Sequence, residues 1–468
     1  MNGYNNSKII SVFLILVNTM LFSQNTESVF DKELDLQTCI EYALKNHPLK
    51  SVDKNSIGIS EAQLDQAHSA YWPQIDLNAS VSRMDEDPNF IFPASTFEIP
   101  SLNIPGLELG GIQIPEQNIK LFDKTMVMGS VELVYPLYTG GFISSLIGQA
   151  EGGLLIAKEE AKKNELQIVA DVKKRFYAVY LLQKLTQIGD EALARLETTL
   201  ELTENMYLKG SGKVTKTDFL KSKIMVENVR SINFSFKHNL VLAKSALLNA
   251  LGEDVKKEVS VIEDDLLLNT NKYEYDELMN NAFQNNPTWK TLEIAQKIFE
   301  EKVDQAKSGH LPKIGVMGSV NMINNAYKYG LVSEVNKFSW TVGVGMQLPI
   351  FNGFRTSAEV DEAQYRLEKI KSQKILLENG LGILVKKALV DFESASDQQA
   401  ALRSAMESAI DNCSLNDRAY QSDLVELQDL IEAQIFEAIM KVQFYKAQFT
   451  YYESLAELEL IVGSSQQE

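Results

Sequence analysis

Along residues 338–348 apolar and polar positions alternate. Phe338, Trp340, Val342, Val344, Met346 and Leu348 are separated by Ser339, Thr341, Gly343, Gly345 and Gln347. A period of two predicts a strand with one apolar face and one small, polar face. Pro349 lacks the N–H that a ladder needs, so pairing ends there, and Ile350–Gly353 reads as a corner. From Phe354 the period becomes helical: Leu367, Ile370, Leu377, Leu381, Leu384, Ala388, Phe392 and Ala395 recur at threes and fours. Phe354–Tyr420 is 67 residues, about 100 Å of unbroken helix at 1.5 Å per residue. That length implies coiled-coil-like packing rather than an ordinary globular helix.

The pattern occurs twice. Pro48 and Pro287 lie 239 residues apart, as do Pro73 and Pro312, whereas Pro136 and Pro349 lie 213 apart. The first copy therefore carries 26 extra residues between its second and third marker, in the segment that holds five further prolines. Around these markers ALKNHP (43–48) matches AFQNNP (282–287), LDQAHSAYWPQI (64–75) matches VDQAKSGHLPKI (303–314), and YPLYTGG (135–141) matches LPIFNGF (348–354). Tyr207 matches Tyr420 at 213, and Leu251-Gly252 matches Val462-Gly463 at 211. An internal duplication follows.

Each copy reads alike. A short helix (Leu36–Asn46; Tyr275–Asn285) stops before a proline, because the residue preceding proline resists the helical region. A second helix (Leu49–Ala70; Trp289–Ser308) leads into a strand pair. In the first copy Ile75, Leu77, Ala79 and Val81 share a face going out, and Val127, Val131, Leu133 and Tyr135 coming back. In the second, Ile314, Val316, Val320 and Met322 pair with the Phe338–Leu348 strand. The long helix, a turn (Gly210–Val214; Gln421–Asp423) and a returning helix to Gly252 or Gly463 complete each copy. The domain plan is then a leader over 1–23, a first repeat over 24–252, an acidic connector over 253–272, a second repeat over 273–463 and a tail over 464–468.

Strands of about 9–11 residues, apolar on one side and wet on the other, suit a bilayer-spanning sheet. Four strands cannot close on themselves, and open edges do not survive in lipid, so an obligate oligomer is expected. The leader agrees with export: Lys8 precedes the apolar run Ile9–Val17, and Ser23 is a small residue at a cleavage point. No later apolar run is long enough for a membrane helix. The formal charge of −18 argues against nucleic acid as a partner. Cys39 and Cys413 show neither pairing nor metal spacing and read as small buried apolar side chains.

These paired motifs together resemble the TolC-type outer-membrane efflux protein family over nearly all of residues 34–463. The resemblance implies a fold that is mainly α with transmembrane β. In it a homotrimer shares a twelve-stranded β-barrel and a long α-helical barrel reaching across the periplasm. It also implies a periplasmic adaptor (membrane fusion) protein and an inner-membrane transporter as partners, lipid around the strand residues Phe338, Trp340, Val342, Val344, Met346 and Leu348, and no cofactor. An exit channel for type I protein secretion stays open within that class, and a periplasmic helical scaffold or adhesin stalk outside it.

At the second helix tip Asp429 and Glu432 sit three residues apart, hence on one helix face. Their spacing alone fits a solvated acidic surface; the resemblance implies a constriction at the periplasmic entrance, where three such pairs favour cations. It likewise implies gating contacts between Tyr420 and Asp218, with Val425 where the family carries a basic residue. Tyr420 as a plain core tyrosine is the alternative. For the Pro-rich segment Asp85–Lys124 the resemblance implies an extracellular loop, whose Phe92, Phe97, Ile99 and Leu102 fold back on the barrel mouth or meet other surface molecules; a disordered loop is the alternative. Gly210-Ser-Gly-Lys213 lacks the spacing and hydroxyl of a phosphate loop. His47, His68, His238 and His310 match no zinc spacing, and no nucleophile motif or acid pair beside a pocket suggests an enzyme.

Overall fold

The computed structural model describes residues 33–97, 112–121, 124–210, 214–262, 272–325, 337–422 and 424–464. The leader, residues 263–271 of the connector, Lys213, Ile99, Leu102 and the last four residues lie outside these. In chain order the elements are α1 (Leu36–Asn46), α2 (Pro48–Ser69), β1 (Gln74–Arg83), β2 (Asn89–Phe92), β3 (Ser95–Phe97), β4 (Ile112–Ile114), β5 (Gln117–Lys120), β6 (Thr125–Tyr138), α3 (Phe142–Leu208), α4 (Lys216–Ala250), α5 (Tyr275–Asn285), α6 (Pro287–Lys307), β7 (Lys313–Asn325), β8 (Phe338–Gln347), α7 (Arg355–Gln421) and α8 (Leu427–Val462). The two long helices have 67 residues each and begin and end 213 apart. The spacing read from the prolines is therefore also the spacing of the helices.

Two compact units divide the chain. The first draws on Met1–Ser56, Lys158–Thr291 and Ile375–Glu468, and its described residues are helical apart from connecting turns and one parallel bridge, Leu34 to Val261. Its core is the set of faces that helical periodicity turns inward: Cys39, Val172, Val179, Leu247, Leu251, Ala282 and Val385 have no measurable exposure. Each buried leucine or valine of this kind contributes roughly 1.5–3 kcal/mol by leaving water. Tyr177 stacks on Tyr452 with ring centroids 4.3 Å apart.

The two repeats close in the same way inside this unit. Gly252 and Gly463 end the returning helices in the left-handed region, at φ 78° and 79°. A β-carbon on Gly252 would fall 2.9 Å from His47 Cα and Pro48 Cδ, and one on Gly463 would fall 2.7 Å from the carbonyl of Asn285. Asn286 completes the second joint. Its Oδ1 accepts from Thr288 N at 2.9 Å, and its Nδ2 donates to Ile461 O at 2.8 Å. The helix-stopping corner before each proline and the last glycine of the repeat are thus one contact.

The second unit, Ile57–Ala157 with Leu292–Lys374, holds the sheet. Its four antiparallel strands run in the order β1-β6-β7-β8, so the hairpin of the first repeat lies beside that of the second. Pairing in β8 stops at Gln347, leaving Leu348 one residue outside. Pro136, unlike Pro349, sits within its strand: β6 absorbs it with a register shift between Pro136 and Tyr138. Gly353 and Phe354, at φ 67° and 65°, turn the chain into α7, as Gly140 and Gly141 do into α3. Phe354 thus holds a left-handed conformation where the first repeat uses glycine.

The described part of the Pro-rich segment is ordered as a ribbon. β2 pairs with β5 and β3 with β4, both antiparallel. At its root the Asp87 carboxylate accepts from Lys120 Nζ at 2.8 Å and from Lys124 N at 2.9 Å.

Candidate functional site: the sheet faces and the helix tips

Residues directly opposite each other in an antiparallel ladder share a face, so the register assigns every side chain. One face reads Ile75–Leu133–Gly318–Val342 across the four strands, then Leu77–Val131–Val320–Trp340, then Ala79–Gly129–Met322–Phe338. Tyr135, Val316 and Val344 extend it. The opposite face carries Asp76–Glu132–Ser319–Thr341 and Asn78–Ser130–Asn321–Ser339. Among the described residues no layer covers the apolar face: Leu77 is 77% exposed, Trp340 70% and Val344 71%. A contiguous apolar surface of this kind needs a non-aqueous neighbour. The strands β1 and β8 end the sheet order, each with one edge unpaired among the described residues.

At the helix tips the residues singled out from sequence fall as follows. Asp218 is the third residue of α4 and completes a capping box with Thr215. Its Oδ2 accepts from Thr215 N at 2.9 Å and from Thr215 Oγ1 at 2.7 Å, while Asp218 N donates to Thr215 Oγ1 at 3.3 Å. The bond from the Thr215 hydroxyl, then that from its backbone, holds the Asp218 carboxyl below the usual range. Asp429 is the third residue of α8, and its Oδ2 accepts from Glu426 N at 3.1 Å. Glu432 Oε1 accepts from Gln428 Nε2 at 2.7 Å. Tyr420, the penultimate residue of α7, is half-buried. Asp218 and Glu432 line one apolar groove of about 260 Å³ between α4 and α8, floored by Ile224, Leu427, Ile431 and Ile435. Lys221 lies at its rim and donates to Gln428 Oε1 at 3.2 Å.

Sequence reasoning missed a cluster where three helices meet. Glu437 of α8, its side chain 6% exposed, accepts from Arg195 Nη1 of α3 at 2.8 Å and pairs with Lys441 at 2.6 Å. Burial alone would raise the Glu437 carboxyl, but the bonds from Lys441 and Cys413 and the neighbouring cations outweigh it and hold it below its ordinary value. Cys413 sits beside this carboxylate, and burial first, then that contact, pushes its thiol up to about 12. Cys39 is also pushed up to about 12, chiefly by burial. Both thiols are accordingly unreactive. Among the described residues no group of histidine, cysteine and carboxylate side chains could hold a metal ion.

Residues 40–253 and 278–464 match the family described as outer membrane efflux protein. The chain is 20% identical over 397 residues to nodulation protein T of Rhizobium leguminosarum bv. trifolii, covering 83% of each chain. It is 20% identical over 290 residues to outer membrane protein TolC of Salmonella enteritidis, covering 60% of this chain and 57% of that one. Its fold is similar to the crystal structure of the outer membrane protein VceC from Vibrio cholerae. The TM-score is 0.69 at 15% identity, and 92% of this chain and 96% of that one are covered. A twofold repeat of long helices, a sheet divided into an apolar and a polar face, and a family match over both repeats agree: this chain belongs to the outer membrane efflux protein family.

Proposed function

We propose that the chain is the outer-membrane exit duct of a tripartite efflux system, a passive channel through which small molecules or ions delivered by an inner-membrane pump leave the cell. The observation that carries this is the sheet: a continuous apolar face, a polar face behind it, and two open edges. Lipid tolerates the first and forbids the last, since an unpaired edge in hydrocarbon costs several kcal/mol per group. Copies of the chain joined edge to edge satisfy both requirements and turn the polar face toward a wet interior. Three copies supply twelve strands, the arrangement that the family resemblance implies.

The duplication supplies a template for the joint between copies. Within one chain α8 covers α3: Tyr452 stacks on Tyr177, and Lys173 and Lys174 pair with Glu459 and Glu453. Shifting by the repeat spacings carries Tyr177 to Val390 on α7, and Tyr452 and Glu453 to Val241 and Leu242 on α4. These three are open, at 47%, 64% and 67% exposure, and Val390 lines a cleft of about 950 Å³ along α5 and α7. In the assembly α4 of the next copy covers α7 as α8 covers α3 here.

At the tips, three copies of Asp429 and Glu432 make a cation-favouring entrance, and the Tyr420–Asp218 pair contributes to holding it shut. The apolar groove bordered by Asp218, Lys221 and Glu432 suits the helical tip of a periplasmic adaptor, with apolar anchors between charged rims. The family match supports this reading over a periplasmic scaffold. Reconstitution into planar bilayers tests it. Discrete conductance from a heat-sensitive trimer recovered in the outer-membrane fraction is expected. A water-soluble periplasmic monomer without conductance would refute it.

A further inference from the structure

The ribbon formed by β2–β5 lies in the segment by which the first repeat is longer, and its register shows what it is. Arg83 faces Thr125 at the end of β1, Asn89 faces Lys120, and Phe97 faces Ile112. Apart from one residue of slip this is a single hairpin that continues β1 and β6 beyond the sheet, on the side away from the long helices. From Arg83 to Phe97 it runs fourteen residues. At about 3.3 Å per residue that is at most roughly 45 Å of arm, since the chain bends at Asp85-Glu86 and leaves the ladder at Pro93-Ala94. The joint is fixed by Asp87, whose bonds to Lys120 and to the Lys124 backbone hold the arm to its root.

The arm is apolar on both sides. Phe90 and Phe92 meet edge to face at 4.9 Å on one face, and Ile91 between them points to the other. Farther out Phe97 faces Ile112, 69% and 59% exposed. Among the described residues no layer covers this two-stranded ribbon; such a ribbon is marginal in water, and one apolar on both sides needs cover on both. A lipid surface or a flat partner covers one side only.

We propose that the arms of neighbouring copies pack against one another beyond the barrel, so that each arm is covered by its own equivalents. This rests on the trimeric barrel reading. A twelve-stranded barrel with strands about 4.8 Å apart and tilted some 40° is only about 25 Å across. Arms of up to roughly 45 Å rooted on such a rim can exceed the width between their roots, and each stands beside β1, the edge at which copies join.

Phe97→Cys and, separately, Ile112→Cys in the full-length chain, held in outer-membrane vesicles, test the contact with a short bis-maleimide. Cys39 and Cys413, at 0% and 1% exposure, do not compete. Covalent dimers and trimers several-fold above the unmodified chain are expected at both positions. Trimers on a mild-detergent gel that yield only monomers after cross-linking at both positions would overturn the arm contact while leaving the channel reading standing. So would transfer of the label to lipid or to another protein. Absence of trimers in the unmodified chain would overturn the assembly, and the arm contact with it.

Discussion

Asp218 and Asp429 occupy the same place in the two repeats, 211 residues apart: each is the third residue of a returning helix, and each carboxylate accepts the backbone N–H of the residue before that helix. The equivalence bears on how the entrance is tested. Asp429→Ala removes a charge and a helix cap together, and losing a cap costs about 1 kcal/mol. Glu432 has no such duty. Glu432→Gln is therefore expected to lower cation preference and divalent block in single-channel recordings without moving the trimer's melting temperature. Unchanged selectivity in both Glu432→Gln and the double variant Asp429→Ala, Glu432→Ala would remove the acidic-entrance proposal.

The glycine joints separate two costs. Gly463→Ala meets both a left-handed backbone and the Asn285 carbonyl, and is expected to destabilise by at least about 2 kcal/mol. Gly210, at φ 67° with nothing within 4 Å of a built β-carbon, provides the comparison. Gly210→Ala pays only the backbone strain, about 1 kcal/mol. Thermal unfolding of the two variants side by side reads the difference.

Glu437 gives stability a sign with pH. Its folded value lies below the ordinary glutamate value of 4.5, so its contribution is fully present above that pH and is lost as pH falls through the folded value. Arg195→Met removes one charged hydrogen bond and is expected to cost about 2 kcal/mol at neutral pH. The cost should shrink in acid. A denaturant series at neutral pH and below pH 4.5 checks both statements.

The proposed lipid face predicts a depth effect. Val342 lies in a middle row of the sheet, opposite Gly318. Val342→Arg is expected to cost about 2–4 kcal/mol in the membrane, whereas Thr341→Arg on the polar face should mainly alter conductance. Refolding into bilayers and current recordings distinguish them.

The inter-copy joint is testable in the same way. Val390→Cys combined with Val241→Cys should cross-link between copies, as their equivalents Tyr177 and Tyr452 touch within one. Linkage confined to single chains would contradict the assignment.

What was readable from sequence was what is local. Proline and glycine set the corners, so both short helices, both long helices and the start of α7 after Phe354 fall where those residues put them. Alternation gave the strand faces for the same reason. The pairing of β6 with β7 was not readable, because it joins strands whose partners lie almost 200 residues apart. Nor was the cluster of Arg195 and Cys413 around Glu437, because only Lys441 stands at a helical spacing from Glu437 and the other two arrive on separate helices. Asp218 and Asp429 drew separate roles from sequence; their common duty shows only in the hydrogen bonds. The Pro-rich segment concealed a ribbon because its ladders are three and four residues long and separated by prolines.

The bare flanks of the sheet constrain how the molecule is made. A lone copy, or a pair, would meet the bilayer with the same number of orphaned backbone groups, so adding a second copy relieves nothing at the outer flanks. Only ring closure removes the last two. On the ring reading, an incomplete assembly keeps two orphaned edges however many copies it holds.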